Sequence, residues 1–587
     1  MRARNPYLVT RALKIFMWSS ILASVSSQLA TTTNAIVVSN LIGKAAISAI
    51  NLMTPILTLF TCLMILFGIG ASIIASKAIG RRDDDMANGV FTSSIISAAV
   101  SGVVLAVIVY IFSPVIVEVL TGGNPEIYPL ALDYLQAMCM AVPFMMMAGV
   151  VENFAKTDGN PRMVMIAVIC GSVLNLVLDI VFVKWLNLGI AGSAWASGLN
   201  YLLAIIICSF HFRLPNNSLK WKADWKKMRE YVNKSFVQGL PMSINTLLLG
   251  GSVMFINYIV LYAQGSAGIY CWSVCLQLFM ILQMVLTGID SGIYSMGGLL
   301  VGEEDMEGLT ILNRKSILYT AGTLVVITAI ILIFPQFFGQ LFGMERRNPV
   351  TILPHAIRTF SLILVPYALV NLLKSTYQIL GRTPLSLFLS ITQIVLMLGC
   401  VFGFSFISSD MLWWGFPISS FILLTGLSVY TWILHLKDKS LRPFTLIPQT
   451  ENHDSINFSV KISDKSVDEA DEEINGFLRE HNVKSDLINK ILVNCDELME
   501  NIVKHAFDRN KEKHYFDIHV RINEREINVL IKDDGRPFNP ILPSEKIKID
   551  DNDTEESRKL KLVNATTDKI NYKYMYDQNM VMLDFER

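Results

Sequence analysis

The chain has 587 residues, of which 52% are hydrophobic, and its mean hydropathy is +0.46. It is therefore too apolar to be one soluble globule and too long to be one domain. Its 49 basic and 49 acidic side chains cancel, so it lacks the basic excess that nucleic-acid binding requires. These properties predict a membrane protein and argue against a nucleic-acid partner.

Membrane spans are predicted from the apolar runs before residue 437. A helix needs about 20 mostly apolar residues to cross a bilayer, and about twelve such runs occur there. Lys and Arg are concentrated in alternate loops, above all in residues 213–234. By the positive-inside rule, we expect a multi-pass protein of the plasma membrane, or of a bacterial inner membrane, with both chain ends in the cytoplasm.

An internal repeat is indicated by two matches at the same distance along the chain. The sequence GASIIASKAIG at residues 70–80 is similar to GIYSMGGLLVG at residues 292–302, and an acidic run follows each. The two stretches begin 222 positions apart (292 less 70), and Gly159 and Gly381 are also 222 positions apart (381 less 159). The shared offset predicts two six-helix repeats.

One acidic residue, Asp179, falls within a predicted span. It lies one helical turn after Asn175, so the two side chains share a helix face. Together they could offer oxygens to a sodium ion or hold one exchangeable proton. The competing interpretation is an interfacial carboxylate that is neutralised by water or by Lys184. Glu152 and Asp290, in contrast, are expected at the cytoplasmic edge in solvated roles.

The motifs of the membrane part together resemble a known family. GASIIASKAIGRRDDDMA, KTDGNPR, LNLVLDIVFV and GIAGSAWASGLN, each at the matching span, resemble the multidrug and toxic compound extrusion (MATE) family over roughly residues 10–436. The resemblance implies a two-lobed antiporter in membrane lipid that exports small molecules, namely organic cations, drugs or other amphiphiles, in exchange for Na⁺ or H⁺. By position it also implies a cation site that contains Asn175, Asp179 and Ser197.

The first span departs from the pattern of this family. Where such transporters commonly have an acid, the chain reads TTTNAIVV, so Asn34 occupies the position. One ionisable oxygen is lost. We expect a weaker cation site, proton coupling through Asp179 alone, or an altered transport role.

The composition changes abruptly after residue 436. A polar linker leads to about 130 residues that are rich in Asp, Glu, Lys and Asn. Their patterns predict strands at 457–463, 515–522, 526–533, 569–574 and 580–585, and helices at 468–480 and 485–507. These elements are sufficient for one independent α+β domain.

Two motifs in this domain suggest nucleotide chemistry. In DELMENIVKHAFD, Glu497 and Asn501 are one turn apart, so a carboxylate that can act as a base lies beside an amide that can ligate Mg²⁺. Further on, KDDGRPFNP contains Asp533, a candidate acceptor for an adenine amino group, and Gly535, which permits a close turn. Either motif alone is typical of an ordinary surface helix or Asp-Gly turn.

In this order, the two motifs resemble the GHKL ATPase superfamily, and most closely the anti-sigma-factor type of serine kinase. The resemblance implies ATP and Mg²⁺ as cofactors and an anti-sigma-type protein partner in the cytoplasm. The residues that it assigns are the general base Glu497, the Mg²⁺ ligand Asn501, the adenine contacts Asp533 and Gly535, and the family's histidine, His505.

The third motif of that superfamily is altered. Relatives have a Gly-x-Gly-Leu run whose backbone wraps the phosphates, and here the stretch is ESRKLKLVN, with Ser557 and Lys559 at the glycine positions. Side chains at these positions crowd the approach to phosphate, although Arg558 and Lys559 bring positive charge. We expect ATP binding and leave turnover open.

The predicted fold class is an all-α polytopic membrane protein of about twelve helices in two six-helix repeats, with a C-terminal α+β sandwich domain of GHKL type. The predicted first lobe, basic loop, second lobe, linker and cytoplasmic domain are residues 1–212, 213–234, 235–436, 437–456 and 457–587. The leading hypothesis is a MATE-like antiporter with an ATP-binding regulatory domain. The alternatives are a membrane-tethered serine kinase or adaptor whose spans act as a sensor, and an exporter of lipid-linked or peptide substrates.

Overall fold

The chain forms two compact units in the computed structural model, which describes residues 4–214, 217–341, 352–449, 454–463, 465–507, 511–541 and 555–587. We call the first the helical unit; it consists of Ile15–Arg213 and Leu219–Gln449. We call the second the sheet unit. It combines Thr450–Arg587 with two segments that are remote in sequence, Met1–Lys14 and Leu214–Ser218.

The helical unit is built mainly from long α-helices. The helices are α1 Tyr7–Leu41, α2 Lys44–Gly80, α3 Asp84–Thr121, α4 Tyr128–Thr157, α5 Pro161–Ile180, α6 Gly189–His211, α7 Met228–Gly292, α8 Gly298–Gly302, α9 Met306–Ile333, α10 Pro335–Leu341, α11 Leu353–Ser361, α12 Leu364–Ile379, α13 Thr383–Ser405 and α14 Gly415–Lys437. π-Helical turns at Val181–Trp185 and Ile293–Gly297 extend α5 and α7, and a 3₁₀ turn at Met411–Trp414 precedes α14. The first two turns of α1 belong to the sheet unit.

Within the described residues, eleven helical segments are long and apolar enough to cross a membrane. One of them, Met228–Gly302, contains two spans, because Gly265 interrupts the helix with a φ of 62° and a ψ of −151°. The eleven segments therefore hold twelve candidate spans, as the apolar runs predict. Large side chains such as Val103, Ile111 and Val119 are exposed along α3, as a lipid-facing helix requires.

The predicted repeat is visible in matched local geometry. Asp83 and Asp305, 222 positions apart (305 less 83), each accept a hydrogen bond from the backbone N–H three residues later, at 2.9 and 2.7 Å. These bonds cap the first turns of α3 and α9. Gly159 and Gly381 share a left-handed backbone, with φ values of 95° and 79°.

Gly80 and Gly302, which also differ by 222 positions (302 less 80), face each other where α2 meets α8. A Cβ added to Gly80 would lie 2.3 Å from the Leu299 carbonyl oxygen and 2.9 Å from the Gly302 Cα. A Cβ added to Gly302 would lie 2.3 Å from the Lys77 carbonyl oxygen. Because small residues allow helix backbones to approach this closely, the two repeats meet through equivalent glycines.

The sheet unit is a five-stranded antiparallel sheet with helices packed on one face. Its elements are β1 Ser455–Lys461, α15 Ser466–Glu480, α16 Ser485–His505, a 3₁₀ turn at Lys511–Lys513, β2 Tyr515–Ile522, β3 Glu526–Asp533, α17 Glu555–Thr566, β4 Lys569–Met575 and β5 Gln578–Glu586. The strand order is β1-β2-β3-β5-β4. The prediction was correct to the residue for β2 and β3, and the predicted ends of the other elements lie within two residues of the observed ones.

Alternating residues of the strands form the core of this unit. Phe458, Ile518 and Ile531 point to the same side and are buried against the apolar faces of α15 and α16, including Ile474 and Leu498. The alternation follows from the two-residue period of a strand. The residues between them, on the other face, are therefore not part of this core.

We expect Gly80→Ala to destabilise the helical unit by about 1–3 kcal/mol. The new methyl group would clash with the backbone of α8, which cannot shift without moving the whole helix. Thermal unfolding of the purified full chain in detergent measures this. The control is Gly426→Ala on α14, where an added Cβ meets nothing within 4 Å and alanine should gain up to about 1 kcal/mol of helix stability. Equal melting temperatures for the two variants would contradict the close contact.

Candidate cation and nucleotide sites

The Asp179 carboxylate is buried in the helical unit, near the end of α5. Its exposure is 0%, and within the described residues neither carboxylate oxygen has a hydrogen-bond partner. The Ser193 hydroxyl on α6 faces it but donates to Asn34 Oδ1 at 3.0 Å instead. The interfacial interpretation, with water or Lys184 as the neutralising partner, does not fit. A carboxylate that is buried in this way requires a proton or a cation.

The other predicted cation-site residues lie in the same region. Asn175 lies one turn before Asp179 on α5, is buried, and donates from Nδ2 to Ser197 Oγ at 3.4 Å. The structure thus brings together the four predicted residues and adds Ser193, which the sequence analysis missed. The available signal was its position one turn before Ser197 on the same helix face.

Hard ligands predominate in this group of side chains. The carboxylate of Asp179, the amide of Asn175 and the hydroxyl groups of α6 present oxygen atoms, which are the ligands that alkali and alkaline-earth cations prefer. Asn34 contributes an amide oxygen and no charge. The site can therefore hold one positive charge as a bound cation, or one proton on Asp179.

A second buried carboxylate was assigned wrongly from sequence. Asp290, expected in a solvated role, is 5% exposed. It accepts hydrogen bonds from Asn371 Nδ2 and Ser375 Oγ, both at 2.8 Å. Lys374, on the same helix as these partners, donates to Gln393 Oε1 at 2.7 Å. The position of Asp290 in its apolar run could not show that α12 would bring a polar face against it.

A cavity of about 520 Å³ lies beside α16 in the sheet unit. Its lining includes three predicted nucleotide-site residues, Asn501, His505 and Asp533, together with Arg536, Phe538 and Asn579. The predicted base Glu497 and the predicted adenine contact Gly535 adjoin these residues without lining the cavity themselves. Three of the five predicted residues therefore line one concave site.

Glu497 and Asn501 interact as their spacing predicts. Asn501 Nδ2 donates to the backbone carbonyl of Glu497 at 2.9 Å and to its Oε1 at 3.1 Å. Both bonds use the amide nitrogen, so the amide oxygen is the atom that would ligate Mg²⁺. Burial raises the pKa of Glu497, while the Lys559 ammonium and the Asn501 hydrogen bond oppose this rise.

Asp533 is held at the end of β3 from two sides. Its Oδ1 accepts from the Gly535 N–H at 2.8 Å and from Asn579 Nδ2 at 2.9 Å. Burial raises its pKa to about 6, and these two bonds oppose the rise. A Cβ on Gly535 would lie 2.4 Å from the Cβ of Ala506, so the turn needs glycine to pass the end of α16. Both of these bonds use Oδ1, and Oδ2 takes part in neither.

The stretch at the altered glycine motif is helical. Helix α17 begins at Glu555, so Lys559 lies inside it. Lys559 Nζ is 3.4 Å from Glu500 Oε2 and 3.7 Å from Glu497 Oε2. The side chain of Ser557 lies outside the described residues. A lysine at a glycine position therefore forms an ion pair with the carboxylate that the resemblance assigns as general base.

Asn579 on β5 is the second residue that the sequence analysis missed. It is 3% exposed. Besides its bond to Asp533, its Nδ2 donates to the Arg536 carbonyl at 2.9 Å and its Oδ1 accepts from the Tyr572 hydroxyl at 2.8 Å. The available signal was a pair of amides, Gln578 and Asn579, at the start of the mostly apolar strand QNMVMLDF.

Two family models match the chain. The MatE model matches residues 19–181 and 241–404, which together make up more than half of the chain. The chain belongs to the MatE family. The two matched ranges begin 222 positions apart (241 less 19) and correspond to the two repeats. The model of the histidine kinase-like ATPase domain matches residues 461–585, which lie in the sheet unit.

Curated relatives of this MatE protein include the multidrug export protein MepA of Staphylococcus haemolyticus (strain JCSC1435). The two are 26% identical over 248 residues, which cover 42% of this chain and 54% of that protein. MepA of Staphylococcus aureus (strain NCTC 8325 / PS 47) is 24% identical with the same coverage. The chain thus spans about half the length of the relatives that it matches.

Solved structures show the same MatE fold. A MOP superfamily transporter from Pyrococcus furiosus superposes with a TM-score of 0.67 at 21% identity, covering 75% of this chain and 100% of that chain. A mutant of the Vibrio cholerae MATE transporter VcmN superposes with a TM-score of 0.67 at 18% identity, covering 74% and 97%. These similarities establish the fold of the membrane part.

We expect Asn579→Ala to lower the stability of the sheet unit, because three groups lose their buried partner: the Asp533 side chain, the Tyr572 side chain and the Arg536 carbonyl. A buried polar group that is left unpaired costs about 1–3 kcal/mol. Hydrogen exchange of the β3 and β5 amides in the full chain measures this. Asn571→Ala on the neighbouring β4, where the side chain is only partly buried, is the control. Equal exchange rates in the two variants would show that Asn579 does not hold the turn.

Proposed function

We propose that this protein is a membrane antiporter that exports small organic cations or other amphiphiles in exchange for Na⁺ or H⁺, and that its C-terminal domain binds Mg-ATP as a regulatory ligand. One observation carries the transport proposal. The buried Asp179 carboxylate lacks a hydrogen-bond partner within the described residues and lies beside Ser193 and Asn175.

The class of substrate is supported by membership of the MatE family and by the similarity to multidrug export proteins. The positive-inside pattern favours cytoplasmic chain ends, so that export is outward and the sheet unit meets cellular ATP. With Asn34 in place of an acid, Asp179 is the single acid among the described residues of the site, which favours the exchange of one positive charge per cycle.

The nucleotide proposal rests on the cavity of the sheet unit. Asn501 would hold Mg²⁺ and Asp533 would accept the adenine amino group, while Phe538 supplies an apolar wall. Mg²⁺ would be shared between Asn501 and the phosphates, because this ion is usually bound by few protein ligands together with substrate phosphates.

A regulatory role is favoured over rapid turnover by Lys559. Its ammonium lies within 4 Å of the carboxylates of Glu497 and Glu500. Lys559 opposes the rise in the pKa of Glu497 that burial causes, so the carboxylate is a weaker proton acceptor than it would be without the lysine. The lysine also occupies a position where relatives expose glycine backbone to phosphate. We therefore expect the domain to keep Mg-ATP bound as a ligand rather than to hydrolyse it rapidly.

We expect Asp179→Asn to abolish ion-driven substrate accumulation, because an amide can neither carry the proton nor neutralise the cation. The measurement is uptake of a fluorescent organic cation into proteoliposomes of the full chain under imposed Na⁺ or pH gradients. Asp133→Asn, an exposed acid on α4, is the control and should transport normally.

Uptake by Asp179→Asn equal to that of the control would overturn the coupling role of Asp179. If the wild type transports no organic cation under either gradient, the export proposal fails. The membrane-tethered kinase or adaptor with an anti-sigma-type protein partner, which the neutral Asn34 favours, would then take its place.

We expect Asn501→Ala to weaken Mg-ATP binding by about tenfold or more, because a ligand of the ion is lost. Calorimetric titration of the full chain with a non-hydrolysable ATP analogue, with Mg²⁺ and with EDTA, measures this. Asn489→Ala, at an exposed position on the same helix, should leave the affinity unchanged. Wild-type binding that is equally tight in EDTA would contradict the Mg²⁺ role.

A further inference from the structure

The chain's amino-terminal segment is part of the sheet unit. Gln578 Nε2, on β5, donates to the backbone carbonyl of Leu8 at 2.9 Å. Leu8, Ala12 and Leu13 are almost completely buried, with exposures of 0–1%. We call Arg4–Leu13 the docking segment. A segment some 450 residues distant in sequence is thus packed as an integral part of the ATPase-like domain.

The docking segment meets a polar row on the sheet face opposite the core. Ser459, Asp517 and Lys532 are register partners on β1, β2 and β3, and all three are buried. Ser459 Oγ accepts from the Asn5 N–H at 2.7 Å and donates to Asp517 Oδ1 at 2.6 Å, while Arg4 donates to Asp517 Oδ2 at 3.4 Å. A buried carboxylate such as that of Asp517 is stable at this face only with partners, and the docking segment supplies one of them, Arg4.

A second group of contacts reaches the nucleotide motif itself. The side chain of Asp534 has no exposed surface. It accepts from the Tyr7 hydroxyl at 2.9 Å, lies 3.0 Å from His514 Nδ1, and forms an ion pair with Arg11. Asp534 is adjacent in sequence to Asp533, whose carboxylate lines the nucleotide cavity.

We propose that the docking segment senses nucleotide occupancy of the Asp533 cavity and transmits it along helix α1, which begins within that segment at Tyr7. The turn Asp533-Asp534-Gly535 has one carboxylate for each side: Asp533 for the cavity and Asp534 for the docking segment. A ligand that fixes this turn favours the arrangement that Tyr7 and Arg11 also favour. By linkage, nucleotide and docking segment strengthen each other's binding.

Helix α1 gives this coupling a route to the cation site. It runs from Tyr7 to Leu41 as one helix. Asn34, which accepts from Ser193, lies 27 residues beyond Tyr7 in the same helix (34 less 7). One element therefore carries both the docking residues and a cation-site residue. The inference rests on nucleotide binding as proposed above and adds the means by which it would regulate transport.

The test uses the purified full chain with Mg²⁺ and a non-hydrolysable ATP analogue. Arg11→Gln removes the ion pair with Asp534, and Tyr7→Phe removes only a hydroxyl while it keeps the ring that contacts His514 edge to face at 6.0 Å. Lys14→Gln, an exposed residue one turn after Arg11, is the control with the same change of charge. The readouts are analogue affinity and hydrogen exchange of residues 4–14.

We expect the analogue to slow exchange of residues 4–14 in the wild type and in Lys14→Gln. In Arg11→Gln and Tyr7→Phe we expect that response to be lost and the affinity to fall at least about fivefold. Unchanged affinity in both variants, together with exchange that does not respond to analogue in the wild type, would overturn the coupling while nucleotide binding stands. If the wild type binds no analogue, both the coupling and the nucleotide proposal fail.

Discussion

A chain in the hydrocarbon core of a bilayer finds no water to satisfy its polar groups, and most of this structure follows from that constraint. Backbone hydrogen bonds have to close within each segment, which requires helices wherever the chain crosses. Each ionisable side chain has to find a partner or carry its charge into a dedicated site. Asp290 finds Asn371 and Ser375. Asp179 finds no hydrogen bond within the described residues, which is why we propose its carboxylate as the place where an exchangeable ion binds.

The lipid environment also requires the helices to approach one another closely. Without a hydrophobic force between helices, packing depends on small residues that let backbones touch. Gly80 and Gly302 meet in this way at equivalent points of the two repeats, and neither tolerates a Cβ. The motif that identifies the repeat in the sequence is therefore the motif through which the repeats pack.

In the sheet unit, too, buried polar groups need partners. One face of its sheet buries an apolar core against α15 and α16, and the other buries the polar row of Ser459, Asp517 and Lys532. Buried polar groups of this kind are costly unless they are paired, and Arg4 pairs Asp517 while the Asn5 N–H pairs Ser459. The turn that contains Asp533 and Asp534 has a different contact for each residue. Asp533 lines the cavity, and its neighbour Asp534 contacts the docking segment.

Local pattern in the sequence was sufficient to predict the twelve spans, the repeat offset, the strands of the C-terminal domain and the Glu497–Asn501 pair. Each of these depends on the period of a helix or strand, or on a motif of a few residues. Ser193, Asn579 and the buried state of Asp290 depended on the tertiary structure, because their roles arise from side chains that other elements bring to them. The docking segment is the clearest case. Nothing near Arg4 or Tyr7 in the sequence indicates that they contact Asp517 and Asp534, more than 500 positions away; only folding brings the two ends of the chain together.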